Sequence, residues 1–222
     1  MGDFTKGIKT RTNIIREVNR LFNEREKLLT LDEIAHELGL TKSRITNHFP
    51  KKELLMLGIY QEYEKQLEKL LRSSDKSEGR VDFLNLLRLY SDFMDLLYKY
   101  RFAISFLYIN PMKEEVLTRH VTDTFIRNKE RIYQRMESMV QSGLLDARIL
   151  NSEDFGIFLF KHTTLMTTWI ISHRIYDNDK KYEQIKPVYI EGILSCMEVY
   201  LTVRGKEEYE KTMERTRSIP PG

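Results

Sequence analysis

Residues Leu31–Leu55 read LDEIAHELGLTKSRITNHFPKKELL, and this stretch decides how the chain is interpreted. Apolar residues recur at helical spacing in its first part, and Thr30 precedes them as an N-terminal cap. Glu33 follows Thr30 by three residues, which completes the pattern of a capping box. Gly39 then stands where a helix end favours a left-handed residue. The pattern predicts a short helix followed by a tight turn.

A second short helix is predicted after the turn, with Thr41 as its cap and Ile45 and Phe49 as its buried pair. Two helices joined in this way form a helix-turn-helix, whose second helix enters the major groove of DNA. No carboxylate lies between Gly39 and Lys52. The exposed residues there carry hydroxyls, amides and cations, which contact phosphates and base edges. The predicted DNA-binding residues are Thr30, Thr41, Lys42, Ser43, Arg44, Thr46, Asn47, His48 and Lys52.

This segment resembles the signature of the TetR (tetracycline-repressor) family. The resemblance covers about residues 5–70 and rests on Thr30, Ile34-Ala35, Gly39, Thr41-Lys42, His48-Phe49, and Lys52-Glu53 with Leu55. The chain departs from the family at Ser43, where a smaller residue, often Gly, is usual. It departs again at Thr46 and Asn47, because neither is aromatic. In the family a tyrosine at position 46 would normally contact a phosphate.

Composition narrows the class of protein. The chain has 222 residues with 41% hydrophobic and 31% charged content, which is ordinary for a soluble helical protein. Only 10 Gly and 5 Pro are present, which favours long helices over many turns. The single Cys excludes an internal disulfide and favours a cytoplasmic location. The sequence contains no apolar run of about 20 residues, so no membrane span is predicted. The N-terminal residues lack the apolar core of a signal peptide.

The net charge of +3 is unevenly distributed. Residues 1–52 hold 11 of the 36 Lys and Arg and 7 of the 33 Asp and Glu, a net +4, which leaves −1 for the rest of the chain. The positive excess therefore lies with the helix-turn-helix, where it favours binding to phosphates. A charge of this size does not establish DNA binding alone.

Helical periodicity continues through the rest of the chain, and the predicted fold class is all-α. Residues 1–52 are predicted to form the DNA-binding domain. Residues 72–222 are predicted to form a larger helical bundle for effector binding and dimerisation, and a fourth helix at about residues 52–71 is predicted to connect the two domains. A linker is predicted at Arg72–Arg80 and a break at Asn110-Pro111. The later helices are predicted near 81–98, 100–108, 113–142, 153–176 and 182–204.

The predicted helix near Glu153–Tyr176 is apolar almost all round, which indicates burial on several faces. The TetR resemblance implies that the last two long helices pair with those of a second copy as a four-helix bundle, and their surplus apolar surface supports a homodimer. The alternative is that both helices fill the core of a monomer. The predicted interface residues are Trp169, His173, Tyr189, Ile193, Met197 and Tyr200.

An aromatic-rich segment, Tyr90–Tyr108, precedes the predicted break. Large rings and Met around a gap form apolar ligand pockets, although rings at helical spacing also form ordinary cores. Together with the resemblance, the segment predicts a site for a small, mainly apolar effector. The predicted ligand-binding residues are Tyr90, Phe93, Phe106, Phe125, His162 and Met166.

Motifs of catalysis are absent from the sequence. There is no phosphate-binding loop, nucleophile elbow or H-E-x-x-H helix, and His162 and His173 are three helical turns apart, too far to share a metal. We therefore expect no cofactor, no metal site and no enzyme.

The prediction is a ligand-responsive transcriptional regulator. It would bind a palindromic DNA operator as a dimer, act as a repressor as family members commonly do, and be released by the effector. The alternative is a helical protein-interaction module whose helix-turn-helix no longer reads DNA, which the missing aromatic residue at position 46 favours. An enzyme is a distant third.

Overall fold

The chain is all-α, as predicted. The computed structural model describes residues 2–77, 82–109 and 115–217. These ranges contain two 3₁₀ segments, Ala147–Leu150 and Ser195–Tyr200. The α-helices in these ranges are α1 (Gly2–Arg25), α2 (Leu31–Glu37), α3 (Lys42–Thr46), α4 (Lys52–Ser77), α5 (Phe83–Lys99), α6 (Arg101–Ile109), α7 (Glu115–Gln141), α8 (Ser152–Tyr176), α9 (Tyr182–Leu194) and α10 (Val203–Arg217).

Two predicted boundaries are wrong. Residues 72–77 continue α4 instead of forming the start of a linker. The predicted helix at 182–204 ends as an α-helix at Leu194, and α10 follows as a separate helix. The remainder of the predicted linker and the Asn110-Pro111 break lie outside the described residues.

Tertiary contacts explain why the last predicted helix is interrupted. The Asp146 N–H donates to the Tyr200 carbonyl at 2.7 Å, and the Thr202 N–H donates to the Leu144 carbonyl at 3.2 Å. These bonds hold the chain extended just before α10, and Thr202 caps that helix through the Gly205 N–H at 2.9 Å. A Cβ on Gly205 would overlap the Leu144 carbonyl oxygen, so only glycine permits this close approach.

The chain divides into two compact units that differ from the predicted domains. The first unit comprises the described residues of Met1–Glu68 and Leu96–Thr118, and the second those of Lys69–Asp95 and Arg119–Gly222. The helix α6 therefore belongs with the N-terminal helices rather than with the larger bundle. The assignment of DNA binding to one domain and of effector binding and dimerisation to the other stays a prediction.

The first unit is organised around α1, which packs its apolar stripe against the helix-turn-helix, α4 and α6. Ile14, Ile15, Val18, Leu21 and Phe22 are each at most 4% exposed. Their apolar spacing is the helical period that the sequence predicts. The buried residues that surround the stripe include Leu29, Ile34, Ala35, Ile45, Phe49, Leu55, Met56, Ile59 and Ala103.

The second unit packs α8 against α5 and α9. The Asp95 carboxylate of α5 accepts from the Tyr182 hydroxyl and from Lys186 Nζ of α9, both at 2.7 Å. The α10 helix joins the same unit through Tyr209, whose ring meets the Phe83 ring edge-on at a centroid distance of 5.4 Å. Apolar contacts in the interior and hydrogen bonds near the surface therefore hold the four helices together.

Candidate nucleic-acid interface

The first helix of the motif begins with the predicted capping box. The Thr30 side chain accepts from the Glu33 N–H at 3.2 Å, and the Glu33 carboxylate accepts from the Thr30 N–H at 2.7 Å. The hydrogen bond from the Thr30 backbone, with the contribution of Lys27, lowers the pKa of Glu33 to about 2. The capping box thus fixes the N-terminal end of α2 at Thr30.

The turn between the two helices closes as the sequence predicts. Gly39 adopts a φ of +60°, a conformation that residues with a side chain rarely adopt. The Leu40 N–H donates to the Ala35 carbonyl at 2.9 Å, and the Gly39 N–H donates to the His36 carbonyl at 3.1 Å. This pair of bonds is a Schellman motif, which satisfies the last carbonyls of α2 and directs the chain into α3.

The second helix of the motif, α3, is held by its buried side. Thr41 caps it by accepting from the Arg44 N–H at 3.3 Å, while Ile45 and Phe49 are 0% and 1% exposed. The Arg11 guanidinium of α1 lies over the Phe49 ring at 4.9 Å. Gly58 of α4 lies close to the same ring, since a Cβ there would come within 3.1 Å of it. The helices α1 and α4 therefore pack against the buried side of α3 and the residues that follow it.

The opposite side of α3 is open to solvent. Thr41, Lys42, Ser43 and Arg44 are all exposed. Of the other predicted DNA-binding residues, Thr30 and Asn47 are exposed and Thr46, His48 and Lys52 are partly exposed. One surface thus presents donors and acceptors of the kinds that bind phosphates and base edges.

An acidic residue of α2 reaches this surface, which sequence reasoning missed. Asp32 accepts from Lys42 Nζ at 2.8 Å. Both side chains are more than half exposed, and exposed ion pairs of this kind contribute at most about 1 kcal/mol. Within the described residues, the Arg44 guanidinium makes no hydrogen bond or ion pair, so it is available to a ligand.

Two buried amides of α1 connect the motif to α5 and α6, and nothing in the sequence identified them. The side chains of Asn19 and Asn23 both donate to the Lys99 carbonyl at 2.8 Å. Asn23 Oδ1 also accepts from the Phe102 N–H at 3.1 Å. Asn23 therefore satisfies a carbonyl at the end of α5 and an amide at the start of α6, two groups that a helix break leaves unpaired.

The predicted ligand-binding residues differ in burial and are divided between the two units. Tyr90, His162 and Met166 are buried in the second unit, where the Tyr90 hydroxyl and His162 Nε2 share a hydrogen bond of 2.7 Å. Phe125 is 49% exposed on α7, and Phe93 is partly exposed. Phe106 belongs to the first unit and stacks on Phe102 at 6.1 Å. The assignment of these residues to a ligand site stays a prediction, and Tyr90 and His162 are two of its members that contact each other.

The predicted interface residues are mostly core residues of the single chain. Trp169, Ile193, Met197 and Tyr200 are at most 4% exposed, because they face the inside of their own unit. His173 and Tyr189 are partly exposed, and each has a partner in the chain, at Lys180 and Asp177. The exposed apolar residues of α8, α9 and the following 3₁₀ segment are instead Ile157, Phe160, Leu165, Ile175, Tyr176, Val188 and Val199.

No described helix is long and apolar enough to cross a membrane. No group of three or more His, Cys, Asp or Glu within residues 2–77, 82–109 and 115–217 is arranged to hold a metal ion.

Neither a protein-family model nor a curated protein matches the chain, but solved structures do. A TetR-family transcriptional regulator from Marinobacter aquaeolei VT8 has a TM-score of 0.78 at 22% identity, covering 93% of this chain and 98% of that one. A γ-butyrolactone receptor described as ArpA-like has a TM-score of 0.66 at 18% identity, with 95% and 98% covered. The TetR-family protein CprB from S. coelicolor A3(2) has a TM-score of 0.65 at 17% identity, with 96% and 100% covered.

These likenesses extend over nearly the full length of both chains, well beyond the helix-turn-helix that carries the sequence resemblance. The order of the helices is therefore shared from the helix-turn-helix to the last long helices. The chain has the fold of the TetR-family transcriptional regulators.

Proposed function

We propose that this protein is a TetR-family transcriptional regulator that binds a palindromic operator as a homodimer in the cytoplasm. The observation that carries the proposal is the surface of α3. Its cap, turn and buried pair hold the helix rigidly, and its exposed side presents Thr41, Lys42, Ser43 and Arg44 without a carboxylate on α3 itself. Such a helix enters the major groove and reads base edges.

The dimer supplies the second recognition helix. Two such helices must lie about 34–36 Å apart to enter successive major grooves. We assign the interface to the exposed apolar side of α8 and α9, which carries Ile157, Phe160 and Val188, 47–71% exposed in the single chain. Gly156 and Gly192 lie on these helices with no atom near the position of a Cβ, so a second copy can approach their backbones closely.

A small, mainly apolar effector is expected to control the spacing of the two recognition helices. A ligand that binds better to another spacing shifts the population of the dimer away from the operator. The buried group of Tyr90, His162 and Met166 is the part of the second unit that supports such a site. We propose that the DNA-bound dimer represses transcription, as members of the resembling family commonly do, and that the effector releases it from DNA.

A gel shift with the DNA upstream of the protein's own gene, at stated salt concentrations, tests the proposal. We expect a retarded complex of one dimer per palindrome, which weakens steeply as salt rises because phosphate contacts release counterions. Scrambled DNA of equal length is the control. Equal affinity for the upstream and scrambled DNA, or no binding to either, would favour a protein-interaction module instead.

A further inference from the structure

Three buried polar side-chain atoms in the described part of the chain have no hydrogen-bond partner, and two of them lie on α8. They are His162 Nδ1 and Trp169 Nε1, whose side chains are 3% and 4% exposed. A buried donor without a partner costs about 1–3 kcal/mol, and native proteins leave few of them. Two on one helix therefore require a physical explanation.

The two atoms belong to one face of α8. Positions 162 and 169 are seven residues apart, so they lie two helical turns from each other, about 10 Å along the axis. Met166 lies between them on the same face and is 5% exposed. The ring of His162 contacts Tyr90 and Phe158, and the ring of Trp169 stacks on Tyr182 at 5.6 Å. The surroundings are aromatic and apolar.

The hydroxyls of the neighbouring Tyr182 and Tyr189 already donate hydrogen bonds to other residues. The Tyr182 hydroxyl donates to Asp95 at 2.7 Å, and the Tyr189 hydroxyl, beside Trp169, donates to Asp177 at 2.6 Å. A buried water needs two to four polar partners, and these two hydroxyl protons are already used. An acceptor carried by an apolar molecule satisfies the indole N–H without that requirement.

The charge state of the two groups restricts the ligand. Burial lowers the pKa of His162 to about 4, so its imidazole is neutral at pH 7. Burial also raises the pKa of Tyr90, which keeps its proton. Donation from Tyr90 to Nε2 places the imidazole proton on Nδ1. The face then offers two neutral N–H donors, which suit uncharged acceptors better than an ion that would need a buried counter-charge.

We propose that His162 and Trp169 are the polar contacts of the effector site, and that the effector is a neutral, mainly apolar molecule with two carbonyl or ether oxygens about two helical turns apart. This inference rests on the proposed function. It reassigns Trp169 from the dimer interface to the ligand, and it excludes carboxylates and cations as effectors of this site.

A matched series of four compounds tests the inference on the full-length protein. Dimethyl sebacate carries two ester carbonyls, methyl decanoate one and decane none, while the sebacate dianion carries charges at the same positions. Trp169 is the only Trp, so intrinsic fluorescence and the single indole N–H signal in NMR both report on the site. We expect the diester to bind most tightly, with roughly three- to tenfold weaker binding for each carbonyl removed, and the dianion not to bind.

Variants separate the two donors from the apolar contacts. Trp169→Phe keeps a ring against Tyr182 and removes the N–H, so calorimetry should show that it binds the diester no better than the monoester. His162→Phe should do the same. His173→Phe, the same change at a partly exposed position of α8, is the control and should keep the preference for the diester. Circular dichroism establishes that each variant is folded.

Two results would overturn the inference. One is equal binding of diester and decane by the wild-type protein, and the other is failure of all four compounds to bind at millimolar concentration. Neither result affects the gel shift with upstream DNA, which judges the proposed function separately. If the protein retards the upstream DNA and decane releases that DNA as well as the diester does, the proposed function holds and the two polar contacts are excluded.

Discussion

Asn23 of α1 donates its side-chain amide to the backbone carbonyl of Lys99 at 2.8 Å, across 76 residues of sequence. The same side chain accepts from the Phe102 N–H, so a single amide holds both sides of the break between α5 and α6. The helix that supports the helix-turn-helix is therefore tied by hydrogen bonds to a segment that the sequence assigned to another domain.

Asn23→Ala is expected to destabilise the protein by about 1–3 kcal/mol, because it leaves the part-buried N–H of Phe102 at the start of α6 unpaired. The Lys99 carbonyl keeps its bond from Asn19, which limits the loss. Urea unfolding followed by circular dichroism measures the change. Glu24→Ala, which removes an exposed ion pair with Arg20 on the same helix, should change stability by less than about 0.5 kcal/mol. Equal effects of the two substitutions would contradict the role given to Asn23.

Arg44→Ala is expected to weaken operator binding by about 1–3 kcal/mol and to relax base preference, because a guanidinium grips guanine through two hydrogen bonds. Fluorescence anisotropy with the operator and with base-substituted versions measures both effects. Arg44→Lys keeps the positive charge but loses the planar guanidinium that donates two parallel hydrogen bonds. It should therefore retain more affinity than Arg44→Ala while losing selectivity. Unchanged selectivity in both variants would show that Arg44 reads no base.

Lys52→Ala is expected to weaken binding to all DNA sequences alike, because Lys52 lies at the start of α4, where it is placed to contact a phosphate. The slope of log affinity against log salt should become shallower by about one unit. Lys65→Ala removes the same charge from an exposed position farther along α4 and should leave the slope unchanged. Identical slopes for the Lys52 and Lys65 variants would exclude a specific phosphate contact at Lys52.

Ile157→Glu is expected to raise the dissociation constant of the dimer at least about tenfold, because it places an unpaired charge in the proposed interface. Sedimentation at several concentrations measures the constant, and circular dichroism checks that the monomer is folded. Ile126→Glu makes the same change at a comparably exposed Ile of α7, 58% against 47% exposed, and should leave the dimer intact. Ile193→Glu and Trp169→Glu should instead unfold the chain, since both sites are core. A wild-type protein that sediments as a monomer would end the hypothesis.

Stability is expected to fall as the pH decreases from about 6.5 to about 4, because His162 stays neutral in the folded state. Burial lowers its pKa from 6.5 to about 4, so below pH 6.5 the unfolded chain binds a proton that the folded chain does not. By linkage this costs on the order of 3 kcal/mol once the pH is below both values. Urea unfolding at pH 7 and at pH 4.5 should show a smaller loss for His162→Gln, which has no such titration. Parallel losses in both proteins would mean that His162 is not buried neutral.

The sequence was sufficient for the helix-turn-helix because the interactions that form it are local. Thr30 and Glu33 cap each other across three residues, Gly39 closes the turn with bonds to residues at most five away, and Ile45 and Phe49 are buried as their helical spacing predicts. The all-α class followed for the same reason, because apolar residues repeated at the helical period are a property of each segment alone.

The tertiary structure alone decided which apolar residues face inward and which polar groups meet. Since α8 is apolar almost all round, its sequence cannot say whether Trp169 or Phe160 is on the surface, and packing in the folded chain buries the first and exposes the second. The bonds of Asn23 to α5 and α6, and of Asp32 to Lys42, join residues whose separation is set by the packing of helices. The break before α10 likewise depends on the hydrogen bonds of Tyr200 and Thr202 to Asp146 and Leu144. Local periodicity thus determined the helices and the helix-turn-helix, while contacts between distant residues determined the core, the exposed faces and the buried polar sites.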